Sequence, residues 1–535
     1  MPDLFNRGWV AVDPSQAGLG AELDRRDRLR NLVRQRLLDT TRAYLLEIVH
    51  DQAETTDLAV RHATYYRQLL EQIGTEWSTS PTAAERAFHF AGLNNARAAL
   101  EWCFGPSGNA AAGVGLATAA APVFLAISLL TECHRWSEMA LLVLDDDAPR
   151  GGEEMHLQAA LGVALMFTRG GAAGAGVALR RSLAIAEQSG DGFDQLQVLG
   201  PLQMFHHRIG EFKTAVHYAR RGSVLARDLR DSVAITSAHS LMGISHFMTG
   251  ELGIARAELE AALQRGTSSH RTSTIYLGFE SKNLAGAVLA STLWLQGYPD
   301  QAVDVARRTV SDAERMDHGL TLALALIWAV YVFVWTGDLE SATEQTDRLM
   351  SLAESRSLGP YLAVGRGFQR QLAILRGDAK AGIETLRGCL KEFHATPYHV
   401  QTTAISTSLA QGLAATGQLS NAFTLIEKTI RNLEINGDYC YMPEALRVKA
   451  GLLLSLPRPN GAEADACFKQ SLELSRLQGA RAWELRAATD LAKFLSSQGR
   501  GKDALARLQP LFKRFTEGWD TVDLKAAKRV LATLA

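Results

Sequence analysis

Six glycines in the middle of the chain constrain its architecture more than any other feature. Gly210, Gly250, Gly297, Gly337, Gly377 and Gly417 recur at intervals of about 40 residues, with only the second interval longer. Five residues after most of them comes an alanine, at Ala215, Ala255, Ala302, Ala342 and Ala422, with Gly382 taking that place once. The ladder runs outward through Gly170/Ala175, Gly461/Ala466 and Gly499/Ala504. Glycine enters the left-handed conformation that ends a helix without a Cβ penalty, so each rung reads as the turn of a helical hairpin. The alanine falls one turn into the second helix, where a small side chain lets the two helices close up. Small residues also stand seven before several rungs, at Gly243, Ala290 and Ala410. This favours hairpins of the tetratricopeptide kind with lengthened helices, although the spacing exceeds the usual repeat of about 34.

A chain of 535 residues is too long for one core. A repeat array escapes that limit because each unit packs on its neighbours. Hydrophobic residues make up 47% of the chain, which is ample for a folded protein. Basic and acidic residues balance at 56 and 57, so no overall field draws the chain to nucleic acid or a membrane surface. The five cysteines, Cys103, Cys133, Cys389, Cys440 and Cys467, form no CxxC pair and are too sparse for a disulfide framework. A reducing, cytoplasmic setting is expected. The first sixteen residues carry no apolar run of the secretory kind. Two apolar stretches, 110–130 and 320–335, are expected to be buried helices, the second being short of the roughly 20 residues that cross a bilayer.

Taken in order, residues 1–32 read as a loose arm and 33–109 as a helical connector. Residues 110–516 form the array, and 517–535 are a cap whose final helix, over 522–534, starts at Asp520 or Thr521. Residues 25–36 are crowded with Arg25, Arg26, Arg28, Arg30, Arg34 and Arg36, a solvated helix face rather than a phosphate-contacting patch, since no base-reading element accompanies them. Asp39 or Thr40 can cap a helix running through Val49. A second helix over 56–73 carries Tyr65, Tyr66, Leu69, Leu70 and Ile73, and a third carries Leu93, Ala96, Leu100 and Trp102. Within the array, Leu241, Ile244, Phe247 and Met248 precede Gly250, and Ile254, Ala255, Leu259, Ala262 and Leu263 follow it, a spacing of three and four that marks amphipathic helices. Strand signals are almost absent. The expected fold is all-α, a right-handed superhelix of tetratricopeptide-like hairpins with a period of about 40 residues.

Several segments resemble a known family. The run from Arg36 to Tyr44 (RLLDTTRAY), the helix holding His62, Tyr65 and Tyr66, and the stretch from Leu93 to Trp102 are similar to the junction between ATPase and repeat arm in bacterial signal-transducing P-loop ATPases, many of them winged-helix transcriptional regulators. The stretches 481–488 (RAWELRAA) and 515–524 (FTEGWDTVDL) resemble the closing segments of the same proteins. The resemblance covers roughly 33–535 and implies a sensor arm. The family's phosphate loop, GxxxxGK[ST], is missing; Gly499, Gly501 and Lys502 lack its spacing and are followed by Asp503. Nothing here holds the β- and γ-phosphates with Mg²⁺, so no ATP hydrolysis is expected.

Other chemistry is equally sparse. His206, His207, His239 and His246 lack an HExxH or Cys/His context, and the first and last stand four before their ladder glycines, as packing residues do. No cofactor, metal or nucleophile motif stands out. What remains is a surface. Tetratricopeptide arrays line their concave face with first helices, so the positions three and six before each rung are candidate partner contacts. These are Met204, His207, Ile244, Phe247, Trp294, Tyr331, Gln371 and Gln411, together with Ser291 and Val334. Inter-hairpin packing would use the same residues. The expected function is a non-catalytic binding arm of a bacterial regulator. It would recognise a protein, peptide or small inducer and act on a separate ATPase or DNA-binding module, without specific nucleic-acid binding or membrane insertion of its own. A free-standing tetratricopeptide scaffold and an enzyme with a site hidden in the groove are the alternatives.

Overall fold

The computed structural model describes residues 10–11, 36–37, 52–76, 83–144, 151–170, 173–264, 278–395 and 398–534. The arm over 1–32, the arginine run and the helix begun by Asp39 or Thr40 lie outside the described residues, except for one short pairing. Val10–Ala11 (β1) runs antiparallel to Arg36–Leu37 (β2), with Val10 opposite Leu37.

The rest of the described chain is helical. Helices α1 (Gln52–Glu76) and α2 (Ala83–Cys103) come first. Ten hairpins follow: α3 (Ala110–Ala126) with α4 (Leu130–Leu142), α5 (Gly151–Arg169) with α6 (Ala173–Ser189), α7 (Gly192–Arg208) with α8 (Phe212–Leu229), α9 (Ser232–Met248) with α10 (Leu252–Gln264), and α11 (Ser281–Leu295) with α12 (Pro299–Met316). Then come α13 (Gly319–Thr336) with α14 (Leu339–Ser355), α15 (Gly359–Leu375) with α16 (Ala379–Ala395), α17 (Thr402–Ala415) with α18 (Leu419–Asn436), α19 (Met442–Ser455) with α20 (Gly461–Gln478), and α21 (Arg481–Ser497) with α22 (Gly501–Phe512). Helix α23 (Val522–Leu534) closes the chain. The long interval in the ladder falls between hairpins, where α10 ends at Gln264 and α11 begins at Ser281.

The ladder performs as its chemistry dictates. Gly170, Gly210, Gly250, Gly297, Gly337, Gly377, Gly417 and Gly499 sit at hairpin turns with φ between 73° and 96°. The alanines five residues on, from Ala175 through Ala422 to Ala504, are fully buried. Where Gly382 replaces alanine the helices come closer still: a Cβ there would meet Ile374 Cγ1 at 2.6 Å and the Arg370 carbonyl at 3.1 Å. Gly461 departs from the pattern. It is the first residue of α20, and the turn before it is made by Pro457, which holds Leu456 extended, and Pro459. Asn460 then caps α20 by accepting the Glu463 amide, and Ala464 rather than the exposed Ala466 is the buried alanine.

Helix α13 is the one described helix long and apolar enough to cross a membrane, yet 83% of it is buried within the protein. Val332, Val330 and Leu326 have no exposed surface. Its apolarity follows from its position, because the array winds until successive turns touch. Ser128 Oγ meets His318 Nε2 at 3.0 Å across 190 residues, the Arg208 guanidinium bonds the Tyr361 hydroxyl across 153, and Arg486 Nη2 donates to the Trp335 carbonyl across 151. Divided by the hairpin period, those separations make one superhelical turn of about four to five hairpins. The expectation of an array coupled only between neighbours is therefore corrected: the first helices form a shared interior.

Candidate functional site

The first helices carry the expected strip inward, and most of it is covered. Phe247 has no exposed surface, Ile244 and Trp294 expose 2%, His207 and Tyr331 3%, and Met204 and Gln371 7%. Ser291 is fully buried, Val334 half-buried and Gln411 exposed. The covering groups come from the chain itself. Trp294 stacks on Trp335 at 4.6 Å and meets Trp483, from α21, edge-on at 4.9 Å. Phe247 lies edge-on to Trp328, and Tyr331 bonds Gln401. His207 sits beside Ser245 Oγ at 3.2 Å, and burial pushes its pKa down to about 3. Most of the strip is thus core: Trp335 and Ser245 come from the next hairpin, Trp328 and Gln401 from the next but one, and Trp483 from the next superhelical turn.

It remains open in the C-terminal half. A cleft of about 270 Å³ is walled by Val334 and Trp335 of α13, Gln371 of α15, Thr407, Ser408 and Gln411 of α17, Tyr441 beside α19, and Trp483, Thr489 and Lys493 of α21. Val522, Asp523 and Ala526 of α23 form its rim. So the cleft gathers Gln371, Gln411 and Val334 from the expected strip and adds residues from the last two hairpins and the cap.

Its floor is a committed charge network. Arg447 grips Glu444 through two hydrogen bonds of 2.8 Å and also reaches Asp490. Arg486 donates to both Asp523 oxygens at 2.9 Å, and its guanidinium lies 4.9 Å from the ring centres of Trp294 and Trp483. Lys493 completes the set on Asp490 at 2.9 Å. Burial raises the Glu444 pKa, but Arg447 and Arg486 outweigh it and hold the carboxyl below its usual range. For Asp490 the same contest is won by Arg447 and Lys493. At Asp523 burial wins over Arg486 and the pKa is raised. These charges neutralise one another, so they shape the cleft and fix α19, α21 and α23 together.

One group in the wall is not committed. Gln371 donates its Nε2 to Ser408 Oγ at 2.8 Å, while its Oε1 is buried without a hydrogen-bond partner. A buried acceptor of that kind costs stability until a donor reaches it. The sequence exposed Gln371 and Gln411 through the ladder. It did not expose the network, although the first helices α19 and α21 carry Glu444, Arg447, Arg486, Asp490 and Lys493 where α13 carries no charge at all, which was the available signal.

The histidines have a different role. His206 Nδ1 bonds Glu211 at 2.8 Å and His246 Nδ1 bonds Glu251 at 2.6 Å, each pair clasping a hairpin turn across its glycine. Among the described residues no three His, Cys, Asp or Glu side chains gather as metal ligands, and the five cysteines are free and buried.

No family model and no curated protein matches the sequence. Solved structures match in fold. A Rap protein complexed with Competence and Sporulation Factor aligns with TM-score 0.50 and 10% identity, over 68% of this chain and 98% of that one. Aspartyl phosphate phosphatase F from Bacillus subtilis gives 0.38 and 10%, over 68% and 95%. A signal transduction ATPase with numerous domains and a tetratricopeptide repeat sensor, from Pyrococcus horikoshii, gives 0.37 and 12%, over 74% and 56%. At these identities the likeness is one of architecture, that of tetratricopeptide-like helical repeats.

Proposed function

We propose that the chain is a non-catalytic sensor arm that captures a short peptide segment, or a small inducer with amide-like groups, in the C-terminal cleft. The observation that carries this reading is the buried, unpartnered Gln371 Oε1 in a wall that also holds Thr407, Ser408, Gln411 and Thr489. A backbone N–H entering the cleft satisfies that acceptor, and the aromatic surfaces of Trp335, Tyr441 and Trp483 take an apolar side chain beside it. The volume suits a few residues of a peptide rather than a folded domain. The Rap protein of similar fold was solved with a bound factor, which fits a superhelix of this kind holding a partner.

Because the cleft is shared by α13, α15, α17, α19, α21 and α23, occupancy alters how the turns seat on one another. We read that change as the signal, passed to a separate ATPase or DNA-binding module in the manner the end segments' resemblance suggests. The five buried thiols suit the cytoplasm for this work. The test is a selection from a displayed peptide library followed by titration of the recovered peptides. Gln371→Leu should leave thermal stability intact or raise it and weaken binding at least tenfold. Recovered peptides that bind Gln371→Leu and Gln411→Ala as well as the native chain would refute the cleft as the site.

A further inference from the structure

A second cavity lies on the outside of the superhelix, between one turn and the next, and it is lined by cations. It measures about 570 Å³, with Gly253 and Arg256 of α10, Gln296 and Tyr298 at the α11–α12 turn, Arg476 of α20, Arg481 and Glu484 of α21, and Arg514 after α22. Four guanidiniums thus converge from hairpins distant in sequence, with one carboxylate among them.

Their partners are few. Glu484 is 5% exposed and takes Arg476 Nε at 2.6 Å and Arg514 Nη1 at 3.6 Å. Arg256 donates its Nε to Glu260 at 2.7 Å and its Nη1 to Gln296 at 3.3 Å. Arg481 forms no ion pair among the described residues; its guanidinium lies 5.6 Å from the Tyr298 ring centre, with Arg256 5.3 Å from the same ring. Counting Glu484 and Glu260 against the four arginines leaves two positive charges uncompensated around one cavity. Most of the N–H donors of Arg476, Arg481 and Arg514 remain free, and each guanidinium offers five in a fixed fork. Arg481 is also the first residue of α21, whose N-cap residue Ala480 supplies no side-chain cap, so the positive end of that helix adds to the field. Like charges crowded in this way repel one another at a cost that a bound anion reverses.

We infer that this cleft binds a small phosphate-bearing anion carrying at least two negative charges, a pyrophosphate group being the simplest that matches several guanidiniums at once. Glu484 is a positioning residue here: its buried carboxylate turns Arg476 and Arg514 to the cavity. The bound anion ties α10 and α11 to α20, α21 and α22, and so favours the closed superhelix. The site is independent of the peptide cleft and of its reading.

The inference is tested by calorimetric titration of the full chain with inorganic pyrophosphate and, separately, with ADP, in about 150 mM KCl. Saturable binding of either supports it. Equal affinities make the inorganic group sufficient, and tighter ADP binding makes the nucleoside part of the ligand. Arg481→Gln strands no carboxylate, so the folded protein should survive while affinity falls at least tenfold. Arg256→Gln, whose partner Glu260 is solvent-facing, should give a similar loss and serves if the first variant fails to fold. Arg315→Gln, an exposed cation at the far end of α12 paired with Asp312, should have no effect. Absence of saturation, or a loss no greater in Arg481→Gln than in Arg315→Gln, would overturn the site.

Discussion

Trp294 shows how a single side chain can be assigned to core or surface by what lies opposite it. Its position in the hairpin suits a partner-binding anchor, and it is made interior by Trp335 of the next hairpin together with Trp483 of the next superhelical turn. Trp294→Ala should therefore lower stability by about 3–5 kcal/mol in urea denaturation, in proportion to the cavity it leaves. Asp438 offers a second test. Burial pushes its carboxyl up to about 7, against a hydrogen bond from Thr403, and its Oδ1 has no partner. The native state then keeps a proton that the unfolded chain releases from about pH 4, so stability falls as pH rises through about 4–7 and is level above. Asp438→Asn should match the native chain at pH 4 and exceed it at pH 8 by about 2–4 kcal/mol, read by denaturation at both values. His207 acts in the opposite sense, since its depressed pKa withdraws stability as pH falls below about 6.5. Its contribution is common to both proteins and cancels in the comparison.

Hairpins were legible because their signal is local. The glycine at the turn and the buried alanine one turn later report on residues five apart, and both can be read from spacing alone. The exception is instructive: at Gly461 the same spacing occurs, but Pro457 and Pro459 had already made the turn, and proline overrules glycine there. Second helices end legibly only where glycine follows, as at Gly190, Gly437 and Gly479. Arg230, Asp317 and Ser357 take the left-handed conformation with φ near 50–55°, which no residue type announces. The cleft was not legible either, because its floor joins α19 to α21 and α21 to α23 through charges whose partners lie 43 and 37 residues away. A pair of substitutions separates local from long-range demands on the ladder. Gly417→Ala meets nothing within 4 Å and should cost only the backbone penalty, about 1 kcal/mol. Gly337→Ala places a Cβ 2.0 Å from Val522 Cγ1, so it must also displace α23, for a total of about 2–4 kcal/mol. Hydrogen exchange should show faster opening in α23 for the second variant alone.

The superhelix is held shut from its end. Backbone amides of Asp300 and Gln301 donate to Glu517 at 3.0 and 3.1 Å, the Gly518 amide donates to Asp300 Oδ2 at 3.0 Å, and Arg486 secures Asp523. Deleting residues 516–535 should leave the hairpins helical but loosen one turn from the next. Small-angle scattering would then give a larger radius of gyration with unchanged helical circular dichroism, and an unchanged radius would contradict the role given to α23. The same long-range stacking of tryptophans bears on how the chain is made. Each hairpin can fold as it leaves the ribosome, but the stacked pair Trp294 and Trp335 lacks its edge-on partner until Trp483 arrives. At about 5–20 residues per second, the stretch from Trp335 to Trp483 takes about 7–30 s to synthesise. Throughout that interval a nascent chain displays a tryptophan-rich groove that the finished protein conceals, and this is the state that chaperones and aggregation compete for.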